Sequence, residues 1–280
     1  MANAERSIPV VMTFSASDPS GGGGIQADIE ALGAMGCHAA PIVTAITAQD
    51  TTDIYQFYPC PSRLVHDQAR AVLEDMPVVG FKIGILGSIE NIRAVHQILK
   101  DYPNIPVVLD PTFEMGPKAK SLDPTLLEAM IALILPLVTV CMPNINEARL
   151  MAPGADTLDA CAQEIMAQGV NFVLITGQNQ VANKITNTLF GNFRRLEIFQ
   201  WDRLTHYYQG AGCTLSASVI GLIAQGISIP SAIFEAQAYT FEALKQGYRM
   251  GMGHLLPNRL FRVREGSFEF NLKVKNEIKN

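Results

Sequence analysis

Two glycine-rich segments and one cysteine hold the residues of this chain whose types and spacing suit chemistry on an anion. Gln209-Gly210-Ala211-Gly212-Cys213-Thr214-Leu215-Ser216-Ala217 runs straight into small and apolar residues at helical spacing, so it reads as a loop opening a buried helix. The first backbone N–H groups of a helix lack intrahelical partners and sit at the positive end of the macrodipole, which favours a phosphate or a developing negative charge. Glycine and alanine keep the approach open. Cys213 falls in the first turn, where the same dipole and N–H groups predict a lowered pKa and a sulfur able to accept a proton. The competing reading is a small buried residue, the commoner fate of cysteine.

Ser17-Asp18-Pro19-Ser20-Gly21-Gly22-Gly23-Gly24-Ile25-Gln26-Ala27-Asp28 is the other segment, set between a strand-like run and a helical one. Its four consecutive glycines admit a ligand close to the backbone, since no Cβ intervenes. Gly22, Gly24 and Ala27 match the G-x-G-x-x-G/A spacing of a dinucleotide-binding turn, which would imply an oxidoreductase. That turn must be tight and followed by an acidic residue about 20 positions on. Here Asp18-Pro19-Ser20 intervenes and Asp50 arrives late. A flexible turn that binds nothing is the plainer alternative. No P-loop sequence occurs, so phosphate binding would use another architecture.

Asn144 and Glu147 stand three residues apart at the end of a strand-like run, where one helical turn could aim both at a phosphate. A local capping box explains the same pair equally well. Asp110 ends another such run before Pro111, as a metal support or the start of a turn. The histidines show no metal-ligand spacing. Tyr207 and Tyr208 either flank a nucleotide or pack at a strand end, and packing is the stronger reading.

The elements that must position these groups alternate. Strands are expected over 9–14, 41–46, 79–86, 105–109, 137–142 and 171–175, and helices over 23–35, 62–75, 88–100, 124–133, 158–168, 212–225 and 231–247. This pattern predicts an α/β fold with a mostly parallel, helix-covered sheet. Strands over 184–190 and 193–199 around Gly191-Asn192 predict an antiparallel hairpin at one edge. No linker divides the chain, so a single domain spanning 1–280 is expected. The terminal segment 268–280 reads as an edge or frayed end.

Composition narrows the function classes. Hydrophobic residues make up 48% and charged residues 17%, which suits a well-covered sheet and excludes a disordered chain. A net charge of −5 without a Lys/Arg run leaves no footprint for nucleic acid or an acidic membrane. Five scattered cysteines without a CxxC pair argue against a disulfide framework and a zinc site, and for the reducing cytoplasm. No targeting segment or membrane span is visible at the amino end.

Six ordered motifs then carry a resemblance over nearly the whole chain: Ser17 to Asp28, Thr44-Ala45-x-Thr47-Ala48-Gln49, Lys82-Ile83-Gly84, Leu109-Asp110-Pro111, Pro143-Asn144-x-x-Glu147 and Gly210-Ala211-Gly212-Cys213-Thr214. Together they resemble the hydroxymethylpyrimidine and phosphomethylpyrimidine kinases of thiamine biosynthesis. The resemblance implies a ribokinase-like three-layer α/β/α sandwich, ATP and Mg²⁺ as cofactors, a small pyrimidine as substrate, and a homodimer. It implies substrate contacts from Ala16, Asp18, Gly23, Gln49, Ile85 and Thr112. It further implies nucleotide contacts from Asn144, Thr176, Gly177, Gly210 and Gly212, and a metal near Asp110, Asn144 and Glu147. Catalysis is implied for Cys213 as general base, with Gly210, Ala211 and Gly212 as anion donors. The GxGxxA match is then a coincidence.

The sequence departs from the family pattern at Ser15-Ala16-Ser17, at Ile85 where methionine is customary, at Thr176-Gly177-Gln178-Asn179, which lacks a lysine, and at Tyr207-Tyr208-Gln209. A pyridoxal-type vitamin kinase and a non-catalytic pyrimidine-binding protein are the alternatives these departures motivate.

Overall fold

A computed structural model of the chain describes residues 8–112, 123–178 and 183–262. Its elements are β1 (Val10–Ser17), α1 (Gly24–Ala34), β2 (His38–Gln49), β3 (Ile54–Pro59), α2 (Ser62–Asp75), β4 (Val78–Ile83), α3 (Ile89–Asp101), β5 (Val107–Leu109), α4 (Pro124–Ala129), β6 (Val140–Cys141), α5 (Ile145–Met151), α6 (Leu158–Ala167), β7 (Phe172–Gln178), β8 (Lys184–Gly191), β9 (Arg194–Asp202), α7 (Ala211–Ala224) and α8 (Ile229–Lys245). They build one nine-stranded sheet in the order β3-β2-β1-β4-β5-β6-β7-β8-β9.

From β2 to β7 every pairing is parallel. β1 shows why: its largely apolar residues, with Thr13 and Ser15 among them, are buried along nearly the whole strand, as a strand covered on both faces requires. One face carries a core built from α2, α3, α5 and α6 side chains such as Val65, Ile92, Ala148 and Ile165. The other packs α1, α7 and α8 through Leu32, Val219, Ile220 and Ile233. The chain leaves β1 for β2 and β3 on one side and resumes at β4 on the other, so the crevice beyond the carboxyl ends of β1 and β4 is a topological switch point, the usual ligand position in such sheets. A register shift between Ser15 and Ala16 bends β1 just before the first glycine segment.

Local signals explain most boundaries. Ser88, Asp123 and Thr157 each cap a helix by accepting a backbone N–H. Four expectations need correction. β3 pairs antiparallel to β2 and makes the second edge antiparallel too; its side chains are mostly exposed, although Ile54, Tyr55, Phe57 and Tyr58 are strong strand formers. The helix expected over 124–133 is α-helical only to Ala129, after which a π turn, Met130–Ile134, and a 3₁₀ turn, Leu135–Leu137, carry the chain to Pro136 and beyond. β6 therefore starts three residues later than expected, at Val140. A separate short helix, α5, follows it.

The fourth correction concerns the β8–β9 hairpin, which turns at Asn192-Phe193 rather than Gly191-Asn192. Both turn residues are left-handed, with φ of 51° and 57°, as a two-residue turn matching strand twist requires. Segment 268–280 lies outside the described residues. Among the described residues no helix is long and apolar enough to cross a membrane.

Phenylalanine in a left-handed conformation is strained. Phe193→Gly removes that strain at some cost in unfolded-state entropy, so a net gain of about 0.5–1 kcal/mol in urea unfolding is expected, with an unchanged m-value. A loss of stability would show that the exposed ring contributes more than the turn costs.

Candidate active site

α7 opens without a side-chain cap and with no acid in its first turn. Gly210 precedes it at φ 77°, and a Cβ there would lie 1.8 Å from the Gly22 carbonyl oxygen. Only glycine satisfies both the backbone angle and the space. Thr214 N–H closes the first turn on Gly210 O at 2.9 Å. Beneath the turn lies Asp110, whose two carboxylate oxygens stand 3.4 Å from where a Gly212 Cβ would be and which accepts from Ser216 Oγ at 3.3 Å. The other glycine segment meets this one: Gly24, at φ 58°, has the Ala16 carbonyl 2.2 Å from its Cβ position, and the Gly23 Cβ position is 4.0 Å from Cys213 Sγ.

A cleft of about 420 Å³ collects Asp110, Thr112, Asn144, Glu147, Thr176, Gly210, Gly212 and Cys213. These come from the ends of β5, β6 and β7 and the start of α7, so residues more than 100 positions apart share one wall. A second, more apolar cavity of about 300 Å³ adjoins it, lined by Gly177, Ala211, Ile185, Trp201, Phe241 and Leu244, and the two share Thr176, Tyr208, Gly212 and Leu215. Tyr207 borders this cavity and is 77% exposed, so it does not pack as a core residue. Ala16, Gln49 and Ile85 lie at or just beyond the carboxyl ends of β1, β2 and β4, outside the lining of either cavity.

Asn144 and Glu147 form the capping box that their spacing allowed. Asn144 Oδ1 accepts from Glu147 N–H at 2.9 Å and Glu147 Oε2 accepts from Asn144 N–H at 2.8 Å, a complete capping box on α5. The same two residues line the cleft. Asp18 spends its oxygens locally: Oδ1 accepts from Ser20 N–H and Oγ–H, and Oδ2 accepts from Gly23 N–H at 2.6 Å and Gln209 Nε2 at 2.8 Å. It therefore shapes the glycine loop from within.

Under the cleft lies a charge cluster the motifs contained but whose contacts they did not disclose. Lys82 on β4 and Asp28 on α1 are both fully buried and paired at 3.0 Å. Burial alone would depress the lysine, but the carboxylates of Asp28 and Asp110 hold it charged and raise its pKa. Burial raises both Asp28 and Asp110, against the pull of Lys82. The expected low pKa of Cys213 is corrected here. Burial pushes the thiol up to about 12; Lys82 opposes this, and Asp110 and Asp28 reinforce it. Desolvation and two carboxylates outweigh what a helix start offers.

Residues 18–258 match the family described as phosphomethylpyrimidine kinase. The chain belongs to that family. A hydroxymethylpyrimidine/phosphomethylpyrimidine kinase of Mycobacterium tuberculosis is 30% identical over 263 residues, covering 91% of this chain and 95% of the relative. A phosphomethylpyrimidine kinase from Clostridium difficile superposes with a TM-score of 0.71 at 30% identity, over 84% of this chain and 99% of that one. Pyridoxal kinase of Bacillus subtilis, in its ADP complex, superposes with a TM-score of 0.83 at 26% identity, over 91% and 98%. The fold of this phosphomethylpyrimidine kinase family member is the ribokinase-like sandwich its motifs implied.

A thiol held near 12 is a slow nucleophile at neutral pH. Iodoacetamide labelling of Cys213 in the ligand-free protein, followed by peptide mass spectrometry, should accelerate about tenfold per pH unit from about pH 7 to pH 9. A rate already on a plateau below about pH 8 would restore the thiolate expected from helix position alone.

Proposed function

We propose that this chain uses ATP to phosphorylate the hydroxymethyl group of 4-amino-5-hydroxymethyl-2-methylpyrimidine and then the resulting monophosphate, as a bifunctional kinase of thiamine biosynthesis. The observation that carries the proposal is the uncapped α7 start facing Asp110 and Glu147 across one cleft, in a chain of this family. In a phosphoryl transfer the protein's work is positioning and charge stabilisation. Backbone N–H groups of Ala211, Gly212 and Cys213 offer donors toward the transferring group. The apolar cavity beside Trp201 and Phe241 offers a surface for a nucleobase, continuous with the phosphate cleft through Thr176 and Gly212.

The donor set fits Mg²⁺, which takes one or two carboxylates together with phosphate oxygens and water rather than an all-protein cage. Among the described residues no cluster of three His, Cys, Asp or Glu stands ready to hold a metal alone, whereas Asp110 and Glu147 border the same cleft. These two would hold the ion, and Asn144 keeps Glu147 oriented through the capping box. Bound there, the ion would neutralise charge on the phosphate oxygens. Cys213 is assigned the substrate hydroxyl's proton. Burial above all, with Asp110 and Asp28, raises the pKa of its thiol, and Lys82 works against them.

Ala16, Asp18, Gly23, Gln49, Ile85 and Thr112 are read as the surroundings of the pyrimidine, with Gly23 next to Cys213. The continuous sheet supports treating residues 1–280 as one catalytic unit. Ile46 and Tyr58, opposite each other in the β2–β3 ladder and 58% and 60% exposed, support a homodimer across that face. Five free cysteines suit the cytoplasm. The likeness to pyridoxal kinase favours one second reading, a pyridoxal-type kinase, because a shared scaffold leaves ring choice to a few loop residues.

With purified protein, Mg²⁺ and ATP, hydroxymethylpyrimidine should yield monophosphate and then diphosphate, and pyridoxal should turn over at least about tenfold less efficiently. Pyridoxal phosphate as the sole product would assign the second reading, and nucleotide binding without turnover would assign a non-catalytic one. Cys213→Ala should lower kcat by about 100-fold or more with little change in KM. Unchanged turnover would remove Cys213 as the base. Glu147→Gln can keep the capping box through its amide oxygen, so a raised Mg²⁺ requirement is expected on an intact fold. An unchanged Mg²⁺ titration would reject the ligand assignment.

A further inference from the structure

After α8 the chain doubles back over the site. Leu255 N–H donates to Tyr207 O at 3.1 Å and Gln209 N–H to Leu255 O at 3.0 Å, so this return segment pairs with the residues leading into α7. His254 N–H donates to Thr51 O at 2.8 Å and Gly253 N–H to Thr51 Oγ1 at 3.0 Å, which fastens it to the β2–β3 turn just past Gln49. It ends on Arg259, whose guanidinium is buried between the two glycine segments.

Every nitrogen of that group is engaged. Nε donates to Thr214 Oγ1 at 2.8 Å, and Thr214 Oγ1 donates in turn to Gly210 O at 2.8 Å. Nη1 donates to Gly21 O at 3.1 Å and to the Glu30 carboxylate at 2.9 Å, and Nη2 donates to Gly22 O. The N–H of a trans peptide points opposite to its carbonyl. The Gly21–Gly22 peptide is therefore held at its carbonyl by Arg259 and at its N–H by Ser20 Oγ at 3.3 Å. The Gly22–Gly23 peptide is held in the same way by Arg259 and by Asp18 Oδ2 at 2.6 Å. Gln209 adds a second stitch from the α7 side, donating to both Asp18 and Ser20. A run of four glycines has more backbone freedom to lose than any other sequence. Here two of its peptide planes are clamped from both sides, and the clamp on the carbonyl side is one side chain rooted 237 residues away.

We propose that Arg259 is a positioning residue for phosphoryl transfer: it locks the substrate glycine loop onto the start of the anion-binding helix, so that Gly23 and Cys213 keep a fixed separation. A planar five-donor fork can serve Thr214, Gly21, Gly22 and Glu30 together, and a lysine ammonium cannot. The purpose assigned to the lock rests on the kinase reading above; the lock itself rests on these contacts.

Arg259→Lys keeps the positive charge beside Glu30 while breaking the fork, and Glu30→Gln removes the ion pair while leaving the carbonyl bonds. In hydrogen exchange of the ligand-free protein, peptides covering Ser17 to Asp28 should exchange about tenfold faster or more in Arg259→Lys, with α8 unchanged, and should match wild type in Glu30→Gln. In turnover assays Arg259→Lys should lose on the order of 10- to 100-fold in kcat while KM for ATP stays within about threefold. Should Arg259→Lys fail to fold, the double variant Glu30→Gln/Arg259→Gln, which buries no unpaired charge, carries the same expectations. Wild-type exchange of the loop in a folded variant overturns the lock, and faster exchange with wild-type kcat overturns its catalytic purpose. Wild-type protein without turnover on any tested alcohol would instead defeat the kinase reading, with the exchange result still deciding the lock.

Discussion

Helix α7 is buried on all sides from Thr214 to Leu222, and the rest of the site depends on that constraint. A helix enclosed by a sheet and by α1 and α8 cannot turn or slide without opening packed core, so the direction of its amino end is set by the whole fold. The amino end is left without a side-chain cap, and Gly210, Gly212 and Cys213 line a cleft. A rigid dipole with free donors needs no rearrangement when negative charge develops in front of it, which is what makes such a feature useful to phosphoryl transfer.

Around that helix start the charges are arranged at a cost. Taking Lys82 and Asp28 out of water costs several kcal/mol per ion, and an apolar pair of similar size would often be no less stable. Retention of the pair beneath Asp110 and Cys213 places a fixed positive charge close to two groups whose charged forms burial opposes. Burial, with Asp110 and Asp28, favours the protonated thiol in the ligand-free site. A reactive thiolate exposed at rest would instead be open to oxidation and alkylation.

The likeness to pyridoxal kinase and to phosphomethylpyrimidine kinase concerns different levels of the molecule. The sheet, the two helical layers and the position of the crevice are common property of the ribokinase-like fold and make no choice between aromatic rings. The residues proposed to make that choice, Ala16, Gln49 and Ile85, stand at or just beyond strand ends and outside the lining of the cleft.

Much of this was legible in the chain alone. Parallel alternation follows from apolar runs buried on both faces, and the glycine segments announce themselves because few other sequences permit such close backbone approach. β3 was legible in Ile54, Tyr55, Phe57 and Tyr58 yet is absent from the expected strands, whereas the break after Ala129 was illegible because π and 3₁₀ turns use the same residues as a longer helix. Asn144 and Glu147 could be read as a capping box or as site residues; the structure forms the box and sets both residues in the lining of the cleft. Arg259 gave no local signal at all, since its partners at Gly21, Gly22 and Thr214 are distant in the chain. By itself the sequence determined which backbone could approach an anion, because that depends on residue type over a few positions. Tertiary structure alone decided how acidic Cys213 is and what holds the two glycine loops together, because desolvation and long-range hydrogen bonds exist only once the chain has closed around them.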